Sequence, residues 1–300
     1  MTAKNITAID GPAKDGTTQN RAGQDRTAQD GAAEETALAL GWRVYSLGVM
    51  AIGALCVAFG EFDPGQPVPD SFSAHSALPY VVGAFLMLAA GAMQFRRSRR
   101  PLIRRIAVWG AGALAAYYTL VVVLLMDGRV LIANLASYGG YEEIAIQMGV
   151  AAGAVIVFAA AAGECGWMSA AAAVRVTRVS QLAYGVCALV WGGAHFIYMN
   201  LTAPLVPKWL PPTQEFWGYV TGAAFCAAGI AILTGVRARL AAVLLTVMLA
   251  CFAVLVHTPI LLADHKTHFN WTESAENLAA IGAAWVMAGS LRRRERELSV

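Results

Sequence analysis

His195 and His257 have the residue type and setting best suited to chemistry in this chain. His195 ends the run Trp191-Gly192-Gly193-Ala194-His195-Phe196, and His257 stands in Leu255-Val256-His257-Thr258-Pro259. Each lies about one helical turn from the end of a long apolar segment. Imidazole can hold or release a proton near neutrality, or serve as a metal ligand. Three chemistries suit a facing pair. It could ligate a haem iron axially, bind copper or zinc with Met199 or a loop carboxylate, or hydrogen-bond a quinone carbonyl and pass protons as the ring is reduced. No spacing is diagnostic, so the three stay open, although covalent haem attachment is excluded because no C-x-x-C-H occurs. Trp191 and Met199 share the His195 helix face at i−4 and i+4. Trp209 lies in the proline-rich stretch Leu205-Val206-Pro207-Lys208-Trp209-Leu210-Pro211-Pro212, which reads as a stiff lip at headgroup depth or as a lid. His265 and His268, beside Asp264, Trp271, Glu273 and Glu276, are weaker candidates, read mainly as solvated loop residues.

The elements that position these residues follow from composition. The chain is 58% hydrophobic and only 14% charged, against roughly 25% charged in soluble domains. Eight apolar segments are long enough to span a bilayer: roughly 39–60, 77–95, 106–126, 144–163, 180–200, 217–235, 239–261 and 276–291. Helices are the expected form, because a spanning segment in lipid must satisfy its own backbone hydrogen bonds. The class is therefore all-α integral membrane.

Arginines gather in alternate loops: Arg96 to Arg105, then Arg175 and Arg178, then Arg237 and Arg239, then Arg292 to Arg296. The positive-inside rule makes those loops and both termini cytoplasmic in a bacterial-type inner membrane. The basic loops are orientation signals and imply the lipid bilayer, not nucleic acid, as partner. The five cysteines form no C-x-x-C, which excludes a dithiol exchanger.

The apolar plan occurs twice. Tyr80-Val81-Val82-Gly83 answers Tyr219-Val220-Thr221-Gly222, and Gly48-Val49-Met50-Ala51 answers Gly185-Val186-Cys187-Ala188 at nearly the same offset. The expected organisation is a disordered tail over 1–37, a four-helix unit over 38–168 and a second over 176–292. Four is even, so the units form a parallel repeat. In this register His195 falls opposite Ala58 and His257 near Thr119. Polar chemistry is thus expected in one half, at one site at most.

The second half resembles the DoxX-like family of membrane proteins. The resemblance rests on Gly193-Ala194-His195-Phe196, Leu205-Val206-Pro207-Lys208-Trp209-Leu210-Pro211, Phe216-Trp217-Gly218-Tyr219-Val220-Thr221-Gly222, Ala228-Gly229-Ile230-Ala231-Ile232-Leu233, Ala238-Arg239-Leu240-Ala241-Ala242 and Leu255-Val256-His257-Thr258-Pro259. The first half shares only the apolar pattern. The resemblance implies a four-helix membrane unit, linked in some members to respiratory or sulfur redox complexes and in other relatives of the fold to chaperone or cargo-receptor roles. Two functions follow as expectations. One is a quinone-linked subunit, with partner subunits in a redox complex, using His195 and His257 with Trp191 and Trp209 as pocket walls. The other is a non-catalytic membrane scaffold or assembly factor.

Overall fold

A computed structural model of the chain describes residues 40–69, 71–72 and 77–298. The expected disordered tail over 1–37 lies outside the described residues. Among those described, all regular structure is helical, and eight long helices follow one another. They are α1 (Gly41–Phe59), α2 (Leu78–Met93), α3 (Pro101–Ala133), α4 (Tyr138–Glu164), α5 (Ala170–Ile197), α6 (Gln214–Thr234), α7 (Ala238–Ala263) and α8 (His268–Leu298). Each apolar segment read from the sequence lies on one of them. Local chemistry sets several ends. The Ser169 and Thr213 hydroxyls accept from the amides of Ala172 and Phe216 and cap α5 and α6. Gly60 and Gly235 end α1 and α6 in the left-handed conformation. Pro101 opens α3, where no donor is required.

Five helices are long and apolar enough to cross a membrane: α1, α3, α4, α6 and α7. A sixth is reached if α5 and the segment Met199–Leu205, bent from it by 86°, count together. The remaining two fall short for different reasons. Helix α2 has 16 residues, and α8 carries Glu273, Glu276 and a run of terminal charges. Large apolar side chains such as Leu88, Trp109, Leu125, Val254 and Leu262 stand exposed on the outer surface. Contiguous apolar surface of this kind is costly in water and compatible with lipid.

Consecutive helices pack along the chain, α8 returns to pack on α1, and α4 also meets α8. The first helix of each half thus also packs on the last helix of the other: α1 chiefly on α8, and α5 on α4 as well as on α6. Several crossings bring backbones close together, two of them glycine against glycine. A Cβ on Gly53 would stand 2.6 Å from the Gly83 carbonyl oxygen, and one on Gly192 would stand 2.7 Å from that of Gly222. The interval from Gly53 to Gly192 equals that from Gly83 to Gly222, so α1 crosses α2 as α5 crosses α6. Helices α3 and α7 both contain π-helical stretches, Tyr117–Asp127 and Ala253–His257.

Candidate functional site

The α5–α6 crossing builds the His195 site. Gly222 lets α6 approach so closely that a Cβ there would lie 2.8 Å from His195 Cβ. The imidazole Nδ1 is then 3.0 Å from Thr221 Oγ1 and 3.2 Å from the Gly218 carbonyl oxygen. Thr221 spends its single proton on the Trp217 carbonyl, at 2.8 Å. Its oxygen is left to accept, as the Gly218 carbonyl must. The network therefore assigns the proton of the neutral ring to Nδ1 and leaves the Nε2 lone pair free of any hydrogen bond among the described residues. Around the ring stand Phe225, with centroids 5.3 Å apart, and Phe252 of α7, stacked at 6.4 Å. Trp191 meets Phe225 edge-on and leaves its buried indole N–H without a partner.

His257 occupies the π turn of α7. In an α-helix the step from Phe252 to residue 257 would turn the side chain well away. With i→i+5 bonding, residue 257 comes round close to the face of Phe252, one turn nearer the loop. Phe252 is the residue stacked on His195, and among the described residues no ring contact joins His257 to either. No hydrogen bond joins the two imidazoles among the described residues. Met199 packs over Gly218, the residue whose carbonyl faces His195.

The other predicted residues lie elsewhere. Trp209 is 72% exposed, although its loop is tied to α6 by hydrogen bonds from Trp217 to the Pro211 carbonyl and from Gln214 to the Val206 carbonyl. His265 is exposed, and its carbonyl accepts from the Trp271 indole. His268 corrects the expectation of a solvated loop residue on the second half. It is buried in the first turn of α8, stacks on Phe59 at 4.3 Å, and places Nδ1 3.3 Å from Glu61 of the loop after α1. No group of three or more His, Cys, Asp or Glu among the described residues could hold a metal ion, so the copper or zinc reading lacks a protein cage.

A second polar cluster, unforeseen from the sequence, sits at the same end of the bundle. Its centre is Asp63, 3% exposed, facing Glu276, 7% exposed. The Asp63 carboxylate accepts from the Gly65 amide at 2.9 Å and from Gln66 Nε2 at 3.3 Å. Gln66 Oε1 accepts from the Tyr117 hydroxyl at 3.1 Å, and Glu276 Oε1 accepts from Gln147 Nε2 at 2.9 Å. Gly65 is needed here, because a Cβ would lie 2.9 Å from Glu276 Oε1. Burial raises the Asp63 pKa to about 6. Asp127, 1% exposed, has no partner on either carboxylate oxygen, and the Tyr118 hydroxyl and Thr272 Oγ1 are equally bare.

Sequence reading missed this cluster because hydropathy trims a helix at its first charge. The expected spans stop at 126 and start at 144 and 276, whereas α3 runs on through Asp127 and α8 begins before Glu273. Gln147, an amide inside an apolar run, was the available signal.

Together these features define an all-helical protein with several membrane-compatible helices and polar clusters at one end. A family model described as Domain of unknown function (DUF8561) matches residues 184–278. That stretch contains His195, His257 and Glu276 but neither Asp63 nor Asp127. No curated protein and no solved structure matches the chain.

Proposed function

We propose that the chain is an eight-span inner-membrane protein of two tandem, parallel four-helix units, related to the DoxX-like family, with both termini cytoplasmic. Its second unit binds a quinone-class head group at the outward end. The observation that carries the binding role is the His195 network, in which Nδ1 is pinned by Gly218 and Thr221 while Nε2 stays available amid aromatic rings. A quinol hydroxyl can donate to that nitrogen and leave its proton there on oxidation, the second proton leaving to the outward water and the two electrons passing to a redox partner subunit. Flat aromatic rings beside one fixed polar group suit a small ring ligand. The eight-span reading is supported by the paired glycine crossings and the two π stretches. The position of α8 supports it too, since contacts with α1, α4 and α7 relieve that helix of the need for a lipid-facing apolar surface.

The test is a fluorescence titration of the purified full-length protein with a short-chain quinone, reading tryptophan quenching. His195→Ala is expected to weaken binding roughly tenfold, as for loss of a well-made hydrogen bond in a buried site. His257→Ala is expected to weaken it less. If the wild type does not bind, or binds as tightly with both histidines replaced, the quinone reading is wrong. A stoichiometric client copurifying with that non-binding protein would instead support the scaffold function.

A further inference from the structure

The Asp63–Glu276 pair has a geometry that two carboxylates cannot hold. Asp63 already accepts hydrogen bonds on both oxygens, and Glu276 accepts from Gln147. Neither side chain brings a donor in its ionised form, yet both carboxyls converge on Gly65, where a Cβ would lie 2.9 Å from Glu276 Oε1 and 3.4 Å from Asp63 Oδ1. Among the described residues no lysine or arginine pairs with Asp63, Asp127, Glu273 or Glu276. Arg129 lies nearby but donates to the Pro67 carbonyl, at 3.2 Å. Two like charges buried this deeply without a counter-ion would repel strongly in a medium of low dielectric.

Around the pair, polar atoms are buried and bare. Tyr118, 1% exposed, carries an unpartnered hydroxyl within electrostatic reach of both Asp63 and Glu276. The Asp127 carboxylate, within reach of Asp63, has no partner on either oxygen. Buried polar atoms of this kind mark a place built for something further, because each costs desolvation free energy when left alone. The groups facing Asp63 are Cys56 from α1, Tyr117, Tyr118 and Asp127 from α3, and Glu273 and Glu276 from α8. All of them are neutral or anionic, so the ligand is a cation. The carboxyls do not converge into a metal cage, which selects the smallest one.

We propose that Asp63 and Glu276 form a proton-binding site between the loop after α1 and α8, holding one proton between them at the loop end where His195 also lies. The Tyr117–Gln66–Asp63–Glu276–Gln147 chain fixes both carboxyls around that proton. In the interval that relates Gly53 to Gly192, Cys56 of this cluster answers His195, and Tyr118 answers His257. Where one half carries a histidine, the matching place in the other lies beside an acid pair that α8 of the second half completes. This site does not depend on quinone binding.

The experiment uses the full-length protein in lipid nanodiscs, with infrared difference spectra between pH 5 and pH 8 and thermal melts over the same range. Because Asp63 holds its proton more tightly folded than unfolded, the wild type should be most stable at acid pH and lose stability as pH rises through about 6. A carboxylic C=O band should lose intensity in that interval and persist in part to pH 8, where the pair keeps its one shared proton. Asp63→Asn should flatten the pH dependence, and Glu276→Gln should remove the band that persists to pH 8. Absence of the band from the wild type at pH 5 overturns the proposal, and that needs no variant to fold. Survival of the pH 8 band in Glu276→Gln overturns it as well. So does stabilisation by sodium at pH 8 that Glu276→Gln removes, which would make the cluster a metal-ion site.

Discussion

At the scale of the residue, the chemistry of the second half depends on which nitrogen of His195 carries the proton. Thr221→Val keeps the side-chain volume but removes one of the two acceptors facing Nδ1. The Gly218 carbonyl alone should hold the tautomer less firmly, and short-chain quinone affinity should fall roughly fivefold, about 1 kcal/mol. Gly222→Ala acts by crowding. Its Cβ would meet His195 Cβ, and both atoms are fixed to backbone, so neither can swing aside. A cost of about 1–3 kcal/mol in stability is expected, read as a lower midpoint in thermal denaturation, together with weakened quinone binding. His195 was legible as a candidate because an imidazole near the end of an apolar run stands out. Its partner Thr221 was visible only as part of a repeated motif. The contact joins two helices, and no spacing in the chain encodes it.

At the scale of the element, boundaries follow local signals that sequence shows well. Ser169→Ala and Thr213→Ala each remove an oxygen that accepts from an otherwise unpaired amide in the first turn. Each should cost about 1 kcal/mol, measurable as a lower unfolding midpoint in detergent, and the effects should add because the caps belong to different helices. What sequence misjudged was extent. Apolar windows end where charge begins, yet α3, α4 and α8 continue past Asp127, Glu142 and Glu273, because a helix needs hydropathy only where it faces lipid. The π stretch of α7 was equally hidden. It sets the direction of His257 through backbone hydrogen bonding, and the apolar pattern of Ala253 to Val256 is silent about it.

At the scale of the whole molecule, the two halves exchange partners. Helix α1 rests on α8 as well as on α2, and α5 on α4 as well as on α6, so each half alone leaves one face of its first helix uncovered. Expressed separately, residues 38–168 and 169–300 should each be degraded or aggregate, whereas coexpression should restore a complex that copurifies. Stable monodisperse halves would refute this account of the packing. Sidedness is tested by single cysteines in a background without native thiols. With the arginine-rich loops cytoplasmic, Lys208→Cys should react with a membrane-impermeant thiol reagent added to intact cells, and Ser98→Cys should not. The end with the arginine-rich loops is also where long-range contacts anchor charge. Arg96 pairs with Glu164 at 2.7 Å, and Arg178 donates to the Leu233 carbonyl at the end of α6, at 3.1 Å. Guanidinium groups so placed favour the negative end of the helix dipole.

Composition and periodicity by themselves determined that this protein is helical and rich in membrane-compatible segments, because the cost of backbone polar groups in lipid leaves a chain this apolar few other forms. They determined the internal echo of glycines and aromatics, and they singled out His195. Only the tertiary structure decided that a second polar centre forms where the two halves meet. Asp63, Gln147 and Glu276 lie far apart in the chain, and each is unremarkable there. Burial, the loss of counter-charge and a shared hydrogen bond arise when α8 folds back on α1 and α4, and those are properties of the packing that no single segment carries.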